Sequence, residues 1–349
     1  MSTPTAIKPQ KPWLATPKER AINAATIVGS AIATYGLVAI TPLKGKLAYF
    51  ALYFIIYIAA DFFIHLASRG ISAGKDAIAR GVVTLGLVVA LLPILSILVT
   101  VFNRGRGGLH WGLLTHDMKM NSVNDPINQG GLLHALTGTS ILVLIALVIS
   151  LPIGILTALY LTEIKGRFAG PIRFLVQAMS GVPSIVAGLF ILSAIVYPLT
   201  KAYSGFVGSL ALSILMIPTI ARTSEEVLLL IPNDLREAGV ALGGTQWRTV
   251  AMVVLPAART GLVTAVILGI ARVAGETAPI VLLTGGGETV NANPFSGPMG
   301  SLPFYIWKSF AVGSAESVTR AWAGIFVLIV IVLILFVTAR FLSERKTSR

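Results

Sequence analysis

Cysteine is absent from this 349-residue chain, which excludes disulfides, thiolate metal sites and a cysteine nucleophile. Charge is scarce. Asp, Glu, Lys and Arg make up 12% of the residues, against about 25% in an ordinary soluble domain, while 55% are hydrophobic and the mean hydropathy is +0.84. Such a chain is an integral membrane protein. Segments of strict two-residue alternation are also lacking, which argues against a transmembrane barrel, and the apolar runs of about 20 residues suit helices crossing a ~30 Å hydrocarbon core. The expected fold class is therefore all-α. His65, His110, His116 and His134 show no metal-ligand spacing. Ser140 and His134 lie six residues apart and so on different helix faces, which disfavours a membrane hydrolase. No strand precedes the glycine run Gly285 to Gly287 and no Gly-Lys-Ser or Gly-Lys-Thr follows it. Nucleotide binding by this chain is disfavoured, so any pumping must draw on energy from elsewhere.

Apolar runs fall at about 21–40, 47–66, 82–102, 133–162, 172–198, 203–221, 261–283 and 319–341, giving eight expected spans. Net charge is +13, and in a membrane protein Lys and Arg record which loops stay in the cytoplasm more than they report nucleic-acid binding. Assigning the tail at 1–20, the loops at 67–81, 163–173 and 222–260, and the end from Arg340 to the cytoplasm collects 18 of the 27 basic residues, against eight on the opposite side. Both termini are thus expected inside the cell. No small-residue cleavage site is evident near the first run, which reads as a retained helix. The two long external segments, 103–131 and 284–318, are rich in Gly, Pro and Asn and read as ordered turns more than helix. Pro93, Pro152, Pro183, Pro198 and Pro218 predict kinks, and Gly181 and Gly188 in "GVPSIVAG" permit close helix approach.

The cytoplasmic loop at 222–260 mixes helical periodicity with glycine breaks. Asp234 is placed to cap a short helix carrying Glu237 and Ala238; Gly243 and Gly244 end it, and Gln246 to Val254 begin a second helix that stops before Pro256. Small residues at such a turn let another protein approach its backbone. Glu237, Ala238, Gly239, then Gly243, then Val253, Leu255 and Pro256 keep every spacing of the Glu-Ala-Ala signature of ABC importer permeases, with Gly239 for the second alanine and Val253 for the usual isoleucine. From about residue 130 to 285 the chain also resembles the PstA family of phosphate-importer permeases. The carrying stretches are "HALTGTSILVLIALVISLPIGILTALYLTE", "GVPSIVAGLF", "LSILMIPTIARTSEEVLLLIPNDLREAGVALG" and "RVAGETAPIVLLTGG".

The resemblance implies a six-helix transport core, here 80–343, with the helices at 21–70 as an N-terminal extension. It implies a bacterial inner-membrane assembly with a PstC-like permease as heterodimer partner, two copies of a PstB-like ATPase carrying the ATP and Mg, and a PstS-like external phosphate-binding protein. It further implies that Glu237, Ala238, Gly239, Gly243, Leu255 and Pro256 belong to the segment that docks the ATPase.

Arg272 and Glu276 stand near the middle of the run at 261–283, and four residues apart they are expected on one helix face, where the carboxylate neutralises the guanidinium. An ionisable pair at that depth marks a substrate path by default. Arginine offers planar donors to phosphate oxygens, and a carboxylate accepts the proton that phosphate keeps and sulfate lacks. A buried pair that only holds helices in register is the other reading. Arg222 is the second candidate for the path, against the alternative that it snorkels to headgroups; Glu225 and Glu226 are expected solvated or paired with Arg236. Sulfate, molybdate or an organic solute as cargo, and a scaffold that only assembles partners, stay open at this point.

Overall fold

The computed structural model describes residues 16–43 and 45–344. The expected tail lies outside the described residues as far as residue 15, as do Lys44 and the last five residues. The described residues form helices α1 (Pro17–Ile40), α2 (Lys46–Arg69), α3 (Ile71–Gly105), α4 (Leu133–Leu159), α5 (Ala169–Ser180), α6 (Ser184–Ile191), α7 (Gly205–Leu229), α8 (Asn233–Ala241), α9 (Gln246–Thr249), α10 (Leu255–Ala274), α11 (Ala278–Leu283), α12 (Leu302–Val312) and α13 (Ala315–Glu344). Two compact units divide inside α3, at Leu98 and Val99, some 20 residues later than the extension and core expected from sequence.

In the first unit Thr16 starts α1 with a capping box: its side chain accepts from the Glu19 N–H while the Glu19 carboxylate takes the Thr16 N–H. Thr26, Ser30 and Thr34 recur every four residues as a buried stripe on α1, with Thr34 returning its hydroxyl proton to the Ser30 carbonyl at 2.7 Å. Side chains this small allow helices to approach without a hydrophobic drive between them. Asp61 of α2 is only 3% exposed, yet its charge is matched: Arg80 of α3 donates to it at 3.0 Å and His65 lies 3.2 Å away.

The second unit is built on α4 and α7. Gly154 of α4 lies so close to Ile220 of α7 that a Cβ there would meet its side chain at 2.8 Å, and Ser150 donates to the Ser213 carbonyl at 3.3 Å. Gly205, Gly208, Ser209, Ala211, Ser213, Ala221 and Ser224 give α7 a small-residue surface on nearly every side, which is why it is the buried central helix.

Among the described residues seven helices are long and apolar enough to cross a membrane, or eight if α5 and α6 count as one bent span. That pair is the expected span at 172–198, bent by 104° between Ser180 and Ser184. Gly181 and Val182 close back onto Ala178 and Met179, and Pro183 has no N–H to continue the ladder. The expected span at 261–283 is not a single helix. Helix α9 runs through a widened turn at Val250–Val254 straight into α10, giving 29 continuous residues from Gln246 to Ala274. The chain therefore does not stop before Pro256. The missing N–H of Pro256 is absorbed in the first turn of α10, where proline fits, and the turn before it widens.

At the end of the unit opposite α8, the segments expected as turns fold over each other. Met118 N–H donates to the Glu288 carbonyl at 3.1 Å, Leu302 N–H to Thr139 Oγ1 at 2.8 Å, and the fully buried Arg320 of α13 donates to the carbonyls of Asp125 and Pro126 at 3.1 and 2.7 Å. Burial pushes the Tyr305 hydroxyl pKa up, with the Arg320 guanidinium pulling it back. The turn-only expectation for 284–318 fails at α12: Ser301 caps it by accepting from the Phe304 N–H, and Pro303 sits in its first turn, a start signal outweighed in the sequence by the surrounding glycines.

A Cβ at Gly138 would lie 1.9 Å from the Gly300 carbonyl oxygen, so Gly138→Ala must displace backbone. We expect it to cost about 1–3 kcal/mol or more, read as a lower midpoint in thermal unfolding of the detergent-purified protein. Gly86→Ala, where a Cβ meets nothing within 4 Å, should leave the midpoint unchanged or slightly higher.

Candidate functional site

The docking loop expected at 222–260 is shorter in the structure, because α7 continues to Leu229 and the returning helix starts at Gln246. Between them stands a helical hairpin. Pro232 precedes α8, and Asp234 lies in its first turn, where a carboxylate suits the helix dipole, without capping it as the sequence suggested. Gly243, with φ +82°, and Gly244 end the helix as expected, the Gly244 N–H returning to the Gly239 carbonyl at 3.2 Å. Thr245 then caps α9 by accepting from the Arg248 N–H. Glu237 and Ala238 face outward, Leu255 and Pro256 open α10, and the half-buried Gly239 faces Thr249.

Two residues that the sequence did not pair, Arg236 and Glu163, hold this hairpin to the bundle. Arg236 donates from Nε to both oxygens of Glu163 at 3.1 Å and from Nη2 to one of them at 2.8 Å. Nη2 also reaches the Leu228 carbonyl at 2.9 Å, and Nη1 reaches the Ile231 carbonyl at 2.6 Å and Asn233 Oδ1 at 3.4 Å. Glu163 stands in a widened last turn of α4, and Gln246 Nε2 donates to its carbonyl at 2.7 Å. Glu163, Arg236, Glu237 and Gln246 line a groove of about 750 Å³. The expectation that Arg236 serves Glu225 or Glu226 is corrected accordingly: Glu225 takes Arg173 of α5 at 2.7 Å, and Glu226 pairs with Arg222 at 3.5 Å. Arg222 lies inside α7 with its side chain 57% exposed. "YLTE" closes one of the sequence stretches quoted above, so a signal for Glu163 existed; its partner is 73 residues away.

The paired reading of Arg272 and Glu276 is also corrected. Helix α10 ends at Ala274, Gly275 caps it, and Glu276 lies in the break before α11, off the helix face it would otherwise share with Arg272. Arg272 is exposed and Glu276 partly so, and among the described residues neither side chain has an ion pair or hydrogen-bond partner. This break has a neighbour. A Cβ at Gly188 of α6 would meet Pro279 of α11 at 2.9 Å, and the Ser204 N–H beyond α6 donates to the Leu283 carbonyl ending α11 at 3.2 Å. The two helices therefore run the same way, with the breaks at Gly181–Pro183 and Gly275–Thr277 at their shared starting end. Short helices interrupted by Gly and Pro inside apolar segments are how membrane transporters expose polar backbone to a solute.

Residues 150–348 match the family described as "Binding-protein-dependent transport system inner membrane component". The chain is 37% identical over 277 residues to "Phosphate transport system permease protein PstA 1" of Mycobacterium tuberculosis strain ATCC 25618 / H37Rv, covering 78% of this chain and 89% of that one. It is 38% identical over 238 residues to the protein PstA of Pasteurella multocida strain Pm70, covering 67% and 84%. The chain belongs to the PstA family. Among solved structures it is similar to a chain of the MetNI methionine ABC transporter in an inward-facing conformation, with a TM-score of 0.50 and 21% identity over 61% of this chain and 92% of that one, a likeness of fold.

Membership of the PstA family makes the chain a multi-pass permease subunit of an ATP-driven importer, which works with an ATPase and a substrate-binding protein. It also gives Gly239 a meaning, since the Glu-Ala-Ala signature has alanine there. A Cβ at 239 would lie 2.4 Å from Thr249 Cγ2 and 2.8 Å from Oγ1, and a β-branched side chain has little room to turn away. Gly239→Ala alone should lower the unfolding midpoint, equivalent to about 1–3 kcal/mol. Thr249→Ala in the same chain should restore most of that loss, and a double-mutant cycle by thermal unfolding that shows no coupling would contradict the contact.

Proposed function

We propose that this chain is the PstA-type half of a phosphate importer in a bacterial inner membrane, with both termini cytoplasmic. Phosphate crosses beside the paired helix breaks, and ATP is hydrolysed by a separate subunit that docks on the α8 hairpin. The observation that carries the path is Arg272, a cation within an apolar segment that has no partner among the described residues. Such a charge costs between about 2.5 and more than 10 kcal/mol unless it meets a polar cavity or a counter-charge. A second, PstC-like permease completes the cavity around its exposed face, and the anion itself supplies the counter-charge in transit. Glu276, held apart from Arg272 by the Gly275 turn, is free to accept the proton that phosphate retains. The names of the relatives support phosphate over sulfate, molybdate or an organic solute.

The docking surface has its own support. Leu235, Val240 and Leu242 of the hairpin are 41%, 55% and 90% exposed, an apolar patch beside the charged Glu237 and outside the candidate spans, and Trp247, 59% exposed, follows at the start of the Gln246–Ala274 helix. Patches of that kind mark protein contacts. A PstB-like ATPase, present in two copies and carrying the ATP and Mg, is the occupant in this reading, with a PstS-like protein delivering phosphate at the opposite end.

Uptake of labelled phosphate, with sulfate as competitor, should fall about tenfold or more in both Arg272→Gln and Glu276→Gln at matched membrane abundance of the whole importer. Normal uptake in both would move the path to Arg222 or to the partner permease. Docking is read separately. With no native cysteine in this chain, Leu242→Cys should give a single crosslinked product with the ATPase in intact membranes, and absence of any adduct would count against the hairpin.

A further inference from the structure

Helix α8 is one short element, and something must carry its displacement into the membrane. The hairpin has ordinary apolar packing for this: Thr249 and Val250 are buried, and Val250 and Val254 join Ala158 and Leu159 of α4 and Leu228 of α7 in one cluster. Apolar contacts of that kind slide. The Arg236 contacts do not, because each has a direction.

A guanidinium has five N–H donors and no acceptor. In Arg236 every one of them is used: Nε is shared between the two Glu163 oxygens, Nη2 divides between Glu163 and the Leu228 carbonyl, and Nη1 divides between the Ile231 carbonyl and Asn233. The side chain thus begins on α8, next to Glu237, closes the carbonyl end of α7, and ends on α4. Glu163 is 6% exposed and Arg236 21%, so water competes weakly for the pair, and a buried ion pair is costly to half-break. Glu163 also holds the second arm of the hairpin, through Gln246 to its own carbonyl at 2.7 Å. Movement of either arm therefore pulls on one residue.

Beyond Glu163 the path is stiff. Helices α4 and α7 meet at backbone distance through Gly154 and are tied by Ser150 to the Ser213 carbonyl. Helix α7 also carries Glu225, whose bond to Arg173 reaches α5, the inner half of the bent span. The chain of contacts therefore runs from α8 through Glu163 and Arg236 to α4 and α7, and from α7 to the helix that ends at the Gly181–Pro183 break.

We propose that the Glu163–Arg236 pair is the positioning link that transmits ATPase closure from the α8 hairpin to the α4–α7 rod, so that without it ATP hydrolysis no longer drives phosphate movement. This rests on the reading of α8 as the ATPase dock. Neither residue touches phosphate or nucleotide, and the expected signature is loss of coupling without loss of binding.

The test uses the complete importer reconstituted in vesicles with its ATPase and phosphate-binding protein, comparing wild type, Glu163→Gln and Arg236→Lys. The glutamine keeps the shape and carbonyl acceptor of Glu163 but not its charge; the lysine keeps the charge of Arg236 but not its fork. Three quantities are read: ATPase captured with the permease, ATP hydrolysed, and phosphate imported. In both variants capture should match wild type, while phosphate moved per ATP falls about tenfold, within the range of ordinary coupling free energies. A ratio equal to wild type in both overturns the proposal and leaves the pair a static brace. Loss of ATPase capture in both overturns it as well, because the pair would then belong to the docking surface. The underlying dock is judged independently by the Leu242→Cys crosslink, whose failure in an otherwise wild-type importer would refute docking on α8 whatever these ratios show.

Discussion

The α8 hairpin is held to the bundle by Arg236, every donor of which is engaged. An arginine on a solvent-exposed helix ordinarily loses to rotamer entropy most of what a surface ion pair offers. Here the stem is short of water, the fork is filled, and the acceptors are the Glu163 carboxylate and the Leu228 and Ile231 carbonyls at the end of α7, which would otherwise need solvent. The same bonds that terminate α7 therefore also aim α8. Glu237 and Gly243 are exposed, and one position before Glu237 stands the residue that faces inward. This adjacency gives a nine-residue helix an exposed side and an attached side.

The bilayer sets a second constraint, which explains why the breaks matter. Backbone polar groups in hydrocarbon must be satisfied within the segment, so a helix interrupted at membrane depth is tolerated only where protein or a watery cavity receives it. Helices α6 and α11 are both interrupted just before they start, and they are locked side by side through Gly188 and Pro279. One break could be an accident of a proline. Two lie at the shared end of touching parallel helices, and Arg272 stands in the last turn of α10 just before the second of them.

Periodicity and composition made the fold class legible and located the spans, because about 20 apolar residues leave few alternatives. The short helix at Glu237 and its glycine stop at Gly243 were legible because their signals are local. What failed was whatever depended on where a helix ends. Hydropathy gives no warning that Gly275 stops α10, so Arg272 and Glu276 look like neighbours on one face; nor does it show that Pro256 is absorbed into a longer helix. Helix α12 was hidden by the glycine-rich stretch that precedes it, although Ser301 and Pro303 are ordinary start signals. Charge pairing failed for a different reason. Arg236 finds Glu163 across 73 residues, and Arg173 finds Glu225 across 52, while the sequence offers each a closer candidate.

Those pairings show which charges hold the structure. Asp61, Glu163 and Glu225 are all nearly buried carboxylates, and each has an arginine within 3.0 Å. The buried Arg320 lacks a carboxylate but spends its charge on two loop carbonyls. Arg272 and Glu276, four residues apart, differ: among the described residues neither side chain has an ion-pair or hydrogen-bond partner. Continuing α10 by one more turn would have placed them on one helix face. The Gly275 break ends the helix between them instead, so the backbone undoes the ionisable pair that the spacing suggests.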